Sequence, residues 1–261
     1  MAVCYESDIR PFKMYGNLYF VGSSKVSVHL IKTNDGLVLI DTGYPDMYEQ
    51  ILYSIRALGF DPKNIVAIFH SHGHIDHFGC TQRIKKLSGA KTYISYVDQD
   101  IINGKRDLSW AIELGLERLP PFVCDVSVKD GDIFQFGNTI IRCVLTPGHT
   151  DGVLSFFVNI EDGDNSIVAA MHGGIGMNSL AADFLNKYGL SFSCRDVFRT
   201  GLHILAKEHV DLVIGNHPQQ NDTEGKLRRV MACEPILDPN EWQVFLNAVE
   251  KNLDDLIESE K

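Results

Sequence analysis

The segment NIVAIFHSHGHIDHFG, beginning at Asn64, constrains the fold more than any other stretch of the chain. Its first half is continuously apolar, the pattern of a strand buried on both faces of a layered sheet. Its second half packs four histidines and an aspartate between His70 and His77. Neutral imidazoles pack no better than Leu, and each brings ring nitrogens that need partners. Metal binding is one reason to end a buried strand on such a cluster. CTQRIKKLSGA, which follows, has helical spacing and KTYISY has strand spacing, so the cluster occupies a strand-to-helix loop, a common ligand position in α/β folds.

Alternate residues of an extended segment point the same way, so His72, His74 and Asp76 are expected to converge while His77, at the start of a helix, aims elsewhere. That geometry suggests two ions, one chelated by His72 and His74 and a second faced by Asp76 and His77. Imidazole and carboxylate without thiolate suit Zn²⁺ or another borderline divalent metal, and a catalytic zinc usually keeps three protein ligands plus water. Each half then needs one more ligand. His149 in LTPGHTDG lies in a glycine-flanked turn after an apolar strand, and His217 in DLVIGNHPQQ ends a buried strand; both belong at strand ends near the cluster.

Other residues take plainer readings. His29, His203 and His209 read as structural or solvated. His70 is a candidate to back a ligand, since ligating imidazoles usually donate their other N–H to a partner. His172, in AAMHGGIG, is a candidate for contact with the metals or the substrate. Asp41, closing GLVLID, is expected to support the metal loop from behind or to serve a turn, and Trp110 to border the substrate or join the core.

The remaining chain reads as two rounds of strands with helices between. NLYFVG, SVHLIKT and GLVLID suggest an antiparallel meander, followed by a helix in PDMYEQILYSIRALGF. An irregular excursion spans 104–122. Strands resume in FVCDVSV, DIFQFG, TIIRCVLT, VLSFFVNI and SIVAAM, then a helix from Arg195 to His209, a strand in DLVIGNH, and a closing helix with Trp242, Phe245, Val249, Leu253 and Leu256 on one stripe. Two packed sheets with helices outside are expected. No Pro, Gly or Ser-rich linker interrupts the chain, so residues 1–261 read as one domain.

With 24 basic against 34 acidic residues the formal charge is −10, which disfavours a nucleic-acid surface. No apolar run reaches the roughly 20 residues needed to span a bilayer. A small-molecule partner follows; the oligomeric state is left open. The first residues lack a secretory pattern, so a reducing cytoplasm is expected unless a leader was removed. The six cysteines, Cys4, Cys80, Cys124, Cys143, Cys194 and Cys233, contain no C-x-x-C pair and read as small, buried or half-exposed apolar residues.

SHGHIDH resembles the H-x-H-x-D-H motif of the metallo-β-lactamase-fold hydrolase superfamily, GLVLIDTG its preceding aspartate-glycine strand end, and LTPGHT its later third histidine. The similarity continues to IGNHP, and the order is most similar to the third subclass of metallo-β-lactamases, whose second metal takes Asp, His and His. The resemblance implies a four-layer αββα sandwich of two mixed sheets flanked by helices, with two zinc ions at one edge. It assigns His72, His74 and His149 to the first ion and Asp76, His77 and His217 to the second.

Three departures qualify the resemblance. Many members place a bridging aspartate where this chain has His172-Gly173-Gly174, which disfavours the glyoxalase-type and phosphodiesterase-type ligand sets. The serines that hold the drug carboxylate in third-subclass lactamases are replaced by glycines and Ile175. KEHVDLVIG lacks the cysteine of the exported enzymes. The expected function is a binuclear zinc hydrolase of a cyclic amide, lactone or ester, with Asp76 orienting a hydroxide nucleophile whose pKa the paired cations bring to about 7. The alternatives are a thioester or phosphodiester hydrolase without β-lactamase activity and, more remotely, a di-iron redox protein of the same fold.

Overall fold

The computed structural model describes residues 9–261. One sheet opens with an antiparallel meander, β1 (Phe12–Tyr15), β2 (Leu18–Phe20), β3 (His29–Thr33) and β4 (Gly36–Ile40). After helix α1 (Tyr48–Ala57) it continues in parallel through β5 (Ile65–Phe69), β6 (Lys91–Ser95) and β7 (Val126–Val128). The one-turn α2 (Ile75–Phe78) and α3 (Thr81–Ser88) join β5 to β6, and the short α4 (Gln99–Ile102) follows β6. The other sheet runs antiparallel through β8 (Ile133–Phe136), β9 (Thr139–Leu145), β10 (Leu154–Asp162) and β11 (Asn165–Met171). Helices α5 (Ala182–Tyr188) and α6 (Cys194–Leu205) then lead to β12 (Leu212–Val213), parallel to β11, and α7 (Thr223–Met231) and α8 (Glu241–Ser259) close the chain.

Strand alternation divides the apolar side chains among layers. Ile31, Val38, Ile40 and Phe69 of the first sheet meet Ile141, Phe156, Val158 and Met171 of the second in the central core. The opposite faces, Leu30, Leu39 and Ile68 on one side and Phe157, Ala170 and Val213 on the other, pack under α1 with α3 and under α6 with α8. Each fully buried Leu, Ile or Phe contributes roughly 1.5–3 kcal/mol. The result is the αββα sandwich with two mixed sheets.

The stripe of α8 forms as its spacing predicts: Trp242, Phe245, Val249 and Leu253 are buried and Leu256 packs alongside. Residues 104–122 contain neither helix nor strand, also as expected, and are pinned where Ala111 joins Ile75, Phe78, Ile94 and Ile102. Other expectations shift. β1, α5 and α7 were not anticipated, the helix expected to reach His209 ends at Leu205, and FVCDVSV pairs only over Val126–Val128. Cys80, Cys124 and Cys143 are buried and Cys194 half-buried, but Cys233 is exposed in a left-handed turn after α7 (φ 56°); all five are unpaired, and Cys4 lies outside the described residues. No helix among the described residues is long and apolar enough to cross a membrane.

Candidate metal centre

The polar cluster lies where β4, β5, β9, β11 and β12 end. His70 to His74 leave β5 without regular structure, and His74 is still extended (φ −84°, ψ 146°). Alternation stops there. His77 projects from the helical turn of α2, as expected, but so does Asp76, which the spacing places on the extended run. That turn is clamped onto the loop after β4, because Thr42 N–H donates to the His77 carbonyl and Gly79 N–H to that of Gly43.

Two groups of ligand-type side chains result, and the structure brings all six expected residues together. His72, His74 and His149 form one, and Asp76, His77 and His217 the other; within each group the candidate ligand atoms lie within 4.8 Å of one another. The groups adjoin, with the His72 and His77 rings 4.3 Å apart at their centroids. In the second group His77 Nε2 and His217 Nε2 stand 3.3 and 3.6 Å from Asp76 Oδ2.

The far side of four of these rings is tied down. His72 Nδ1 is 2.8 Å from the Gly173 carbonyl, His149 Nδ1 2.7 Å from that of Gly176, His217 Nδ1 2.8 Å from that of Lys25, and His77 Nδ1 2.8 Å from Asp41 Oδ2. A carbonyl or carboxylate only accepts, so each Nδ1 carries the hydrogen and Nε2 is turned toward the cluster. The Nε2 of His72 is buried with no hydrogen-bond partner among the described residues, an arrangement that costs roughly 1–3 kcal/mol. Metal coordination would satisfy that lone pair, and the imidazole–carboxylate donor set suits a borderline divalent ion. The residues present therefore fit two such ions.

Burial divides the electrostatics. Removal from water pushes His72 and His74 well below the ordinary imidazole range and His149 down to about 4, so this group is neutral at pH 7. Burial also opposes charge on His77, but the Asp76 and Asp41 carboxylates on either side outweigh it and lift the ring to about 10. Asp76, despite its burial, is held below the usual carboxylate range by the imidazoles of His77, His217 and His74.

Among the other candidates, Asp41 does support the loop: its carboxylate accepts from Ser71 N–H at 2.7 Å, Ser71 O–H at 2.8 Å and His77 Nδ1–H. Trp110 packs 5.8 Å from the His74 ring and stacks on Phe184. His70 does not touch a ligand side chain, because its nitrogens are taken by the Tyr93 carbonyl and Thr81 Oγ1. His172 belongs to neither ligand group; its buried ring packs against Phe198 and its Nδ1 accepts from Gly174 N–H. Sequence reasoning passed over Asp98, whose Oδ2 accepts from Gly73 N–H and Thr150 O–H, because a lone aspartate after a strand carries no motif. The second group opens into a cavity of about 310 Å³ bordered by Tyr44, Trp110, Ile175, Met177, Asn178 and Gln220.

Two sheets with helices outside and this pair of ligand groups at their shared edge define a metallohydrolase-type scaffold. Residues 21–163 match the family model of the metallo-beta-lactamase superfamily, and the chain belongs to that superfamily. Its structure is similar to BJP-1, a subclass B3 metallo-beta-lactamase of Bradyrhizobium japonicum (25% identity, TM-score 0.84, covering 96% of this chain and 94% of that one). It is likewise similar to the FEZ-1 metallo-beta-lactamase from Legionella gormanii (25% identity, TM-score 0.86, covering 96% of each chain). A hydroxyacylglutathione hydrolase of Synechococcus sp. (strain JA-2-3B'a(2-13)) is 28% identical over 46% of this chain. Curated relatives are matched over part of their own length, 39% in that case and 53% in another.

Proposed function

We propose that this chain is a binuclear zinc hydrolase that attacks a carbonyl carbon in a neutral lactone, ester or cyclic amide. The observation that carries the reading is the pair of adjoining three-ligand groups opening into one cavity. When bound, a pair of divalent ions there supplies a readily ionised water and a Lewis-acidic surface. The protein's own part is to hold the rings with Nε2 inward, through the Gly173, Gly176 and Lys25 carbonyls and Asp41. Asp76, the one acidic residue lining the cavity among the described residues, would accept the O–H of that water and so aim it.

The lining favours an uncharged substrate. Asn178, Asn216, Gln219 and Gln220 offer amides and Trp110, Ile175 and Met177 apolar surface, with neither Lys nor Arg among the described residues that border this cavity. Beyond the ions themselves, a phosphodiester or the carboxylate of a β-lactam gains no charge partner from such a wall. A thioester is the second reading, supported by the likeness to the hydroxyacylglutathione hydrolase.

The test is turnover of zinc-loaded protein on a homoserine lactone, a simple ester, a β-lactam, an acyl-glutathione thioester and a phosphodiester, with and without EDTA. Hydrolysis of the lactone or ester, abolished by EDTA and restored by zinc, is expected. Turnover that survives removal of all metal, or that occurs only on the phosphodiester, defeats the proposal.

A further inference from the structure

Asp98 lies in the turn between β6 and α4 and is fully buried. Its Oδ2 accepts the N–H of Gly73, the residue between His72 and His74, at 2.8 Å and the O–H of Thr150, the residue after His149, at 2.6 Å. One carboxylate oxygen thus joins the two loops that supply the whole first ligand group. The approach is close: a Cβ on Gly152, in the same loop as His149, would stand 2.5 Å from Asp98 Oδ1 and would overlap Ser95 Oγ. Ser95 Oγ in turn accepts the Asp98 N–H at 3.1 Å.

The energetics of this arrangement are unfavourable for the protein alone. Among the described residues Oδ1, which is buried, has no hydrogen-bond partner and Asp98 makes no ion pair; the nearby Arg106 pairs with Asp151. Arg106 favours the Asp98 charge but its partner Asp151 opposes it, so a buried carboxylate with two neutral donors is poorly compensated by the protein alone. Burial accordingly pushes Asp98 up to about 6. The space bounded by His72, His74 and His149, all neutral at pH 7, is where a cation would complete the charge balance.

We propose that Asp98 is a positioning residue for the first ion, fixing the spacing of the His72–His74 and His149 loops and supplying a buried counter-charge. The inference rests on the metal-site reading above. Asn at this position keeps the shape and an acceptor oxygen while removing the charge.

The experiment measures zinc dissociation constants by competition with a chromophoric chelator in two backgrounds, His217→Ala to isolate the first group and His149→Ala to isolate the second. Asp98→Asn is expected to weaken zinc binding by the first group about 10- to 100-fold, the usual effect of losing a partner behind the ligands, and to leave the second group's constant nearly unchanged. In EDTA the same variant is expected to unfold at the same or a higher urea concentration than the parent. A part in folding alone reverses that signature, lowering the urea midpoint with no selective change at the first group, and overturns the proposal. Equal weakening of both groups overturns it too. Should Asp98→Asn fail to fold, Thr150→Val removes one tie and leaves the charge. A severalfold weakening confined to the first group then supports the proposal, and an unchanged constant refutes it. Absence of zinc binding in the unmodified protein defeats instead the reading on which it rests.

Discussion

Asp41 adopts a left-handed backbone (φ 63°), a conformation that costs a non-glycine residue of order 1–3 kcal/mol and persists where surroundings demand it. Here the demand comes from three donors, Ser71 N–H, Ser71 O–H and the His77 ring, all converging on its carboxylate. His29 illustrates a different residue-scale effect. It is buried, bonded through Nε2 to the Gly215 carbonyl, and pushed down to about 4 chiefly by burial. Its folded value lies below the unfolded 6.5, so the unfolded chain takes up a proton that the fold refuses. The stabilisation is complete above pH 6.5 and is lost as pH falls from 6.5 toward 4, by up to about 3 kcal/mol. His29→Gln keeps a donor for Gly215 and removes the titration. Urea unfolding in EDTA at pH 7 and pH 4.5 should show a smaller acid loss for the variant; equal losses would show that His29 takes no part. The six ligand-type residues were legible because their spacing and their places at strand ends are local. For His172 the same local signs, a strand end and glycines, do not say which way the ring turns, which is onto Phe198 in α6.

The loop from β9 to β10 shows how an element aims a ligand. Gly148 has φ 147°, its N–H donates to the Thr150 carbonyl at 2.8 Å, and a Cβ added to it would lie 2.5 Å from Cβ of Phe198. A side chain there must push the loop off α6 and carry His149 with it. Gly148→Ala is therefore expected to destabilise the protein by about 1–3 kcal/mol and to abolish zinc binding by the first group while sparing the second. Metal content after gel filtration, with a urea midpoint, checks both; a variant that keeps full zinc content contradicts the mechanism. Period-two and 3.6-residue patterns announced most long elements, such as β10 and α8. They could not announce β1 or α5, which are short and owe their places to contacts distant in sequence, β1 to burial of Phe12 and Met14 in the central core and α5 to Phe184 stacking on Trp110. The same limit explains Asp76, whose helical turn is set by clamps from the β4 loop that lie far away in sequence.

At the scale of the molecule, each ligand group draws on both sheets. His72 and His74 follow β5 of the first sheet and His149 follows β9 of the second; Asp76 and His77 again follow β5, and His217 follows β12. That pairing was only partly legible, since strand ends could be located along the chain but the order of strands across a sheet, where β5 lies beside β4 and β6, depends on contacts distant in sequence. Its consequence is thermodynamic. Ions held in both groups would pin the edges of the two sheets together, and a ligand that binds only the folded state stabilises it by about 2.7 kcal/mol at 100 times its dissociation constant. Two independent sites would then give about 5 kcal/mol, or a rise in melting temperature on the order of 10–20 °C for a chain of this size. Calorimetry in EDTA and in excess zinc should show that difference, with His217→Ala retaining about half of it and losing hydrogen-exchange protection at the end of β12. If the melting temperature is the same with and without zinc, the ions do not join the sheets, and the two ligand groups are not the site where metal and fold are coupled.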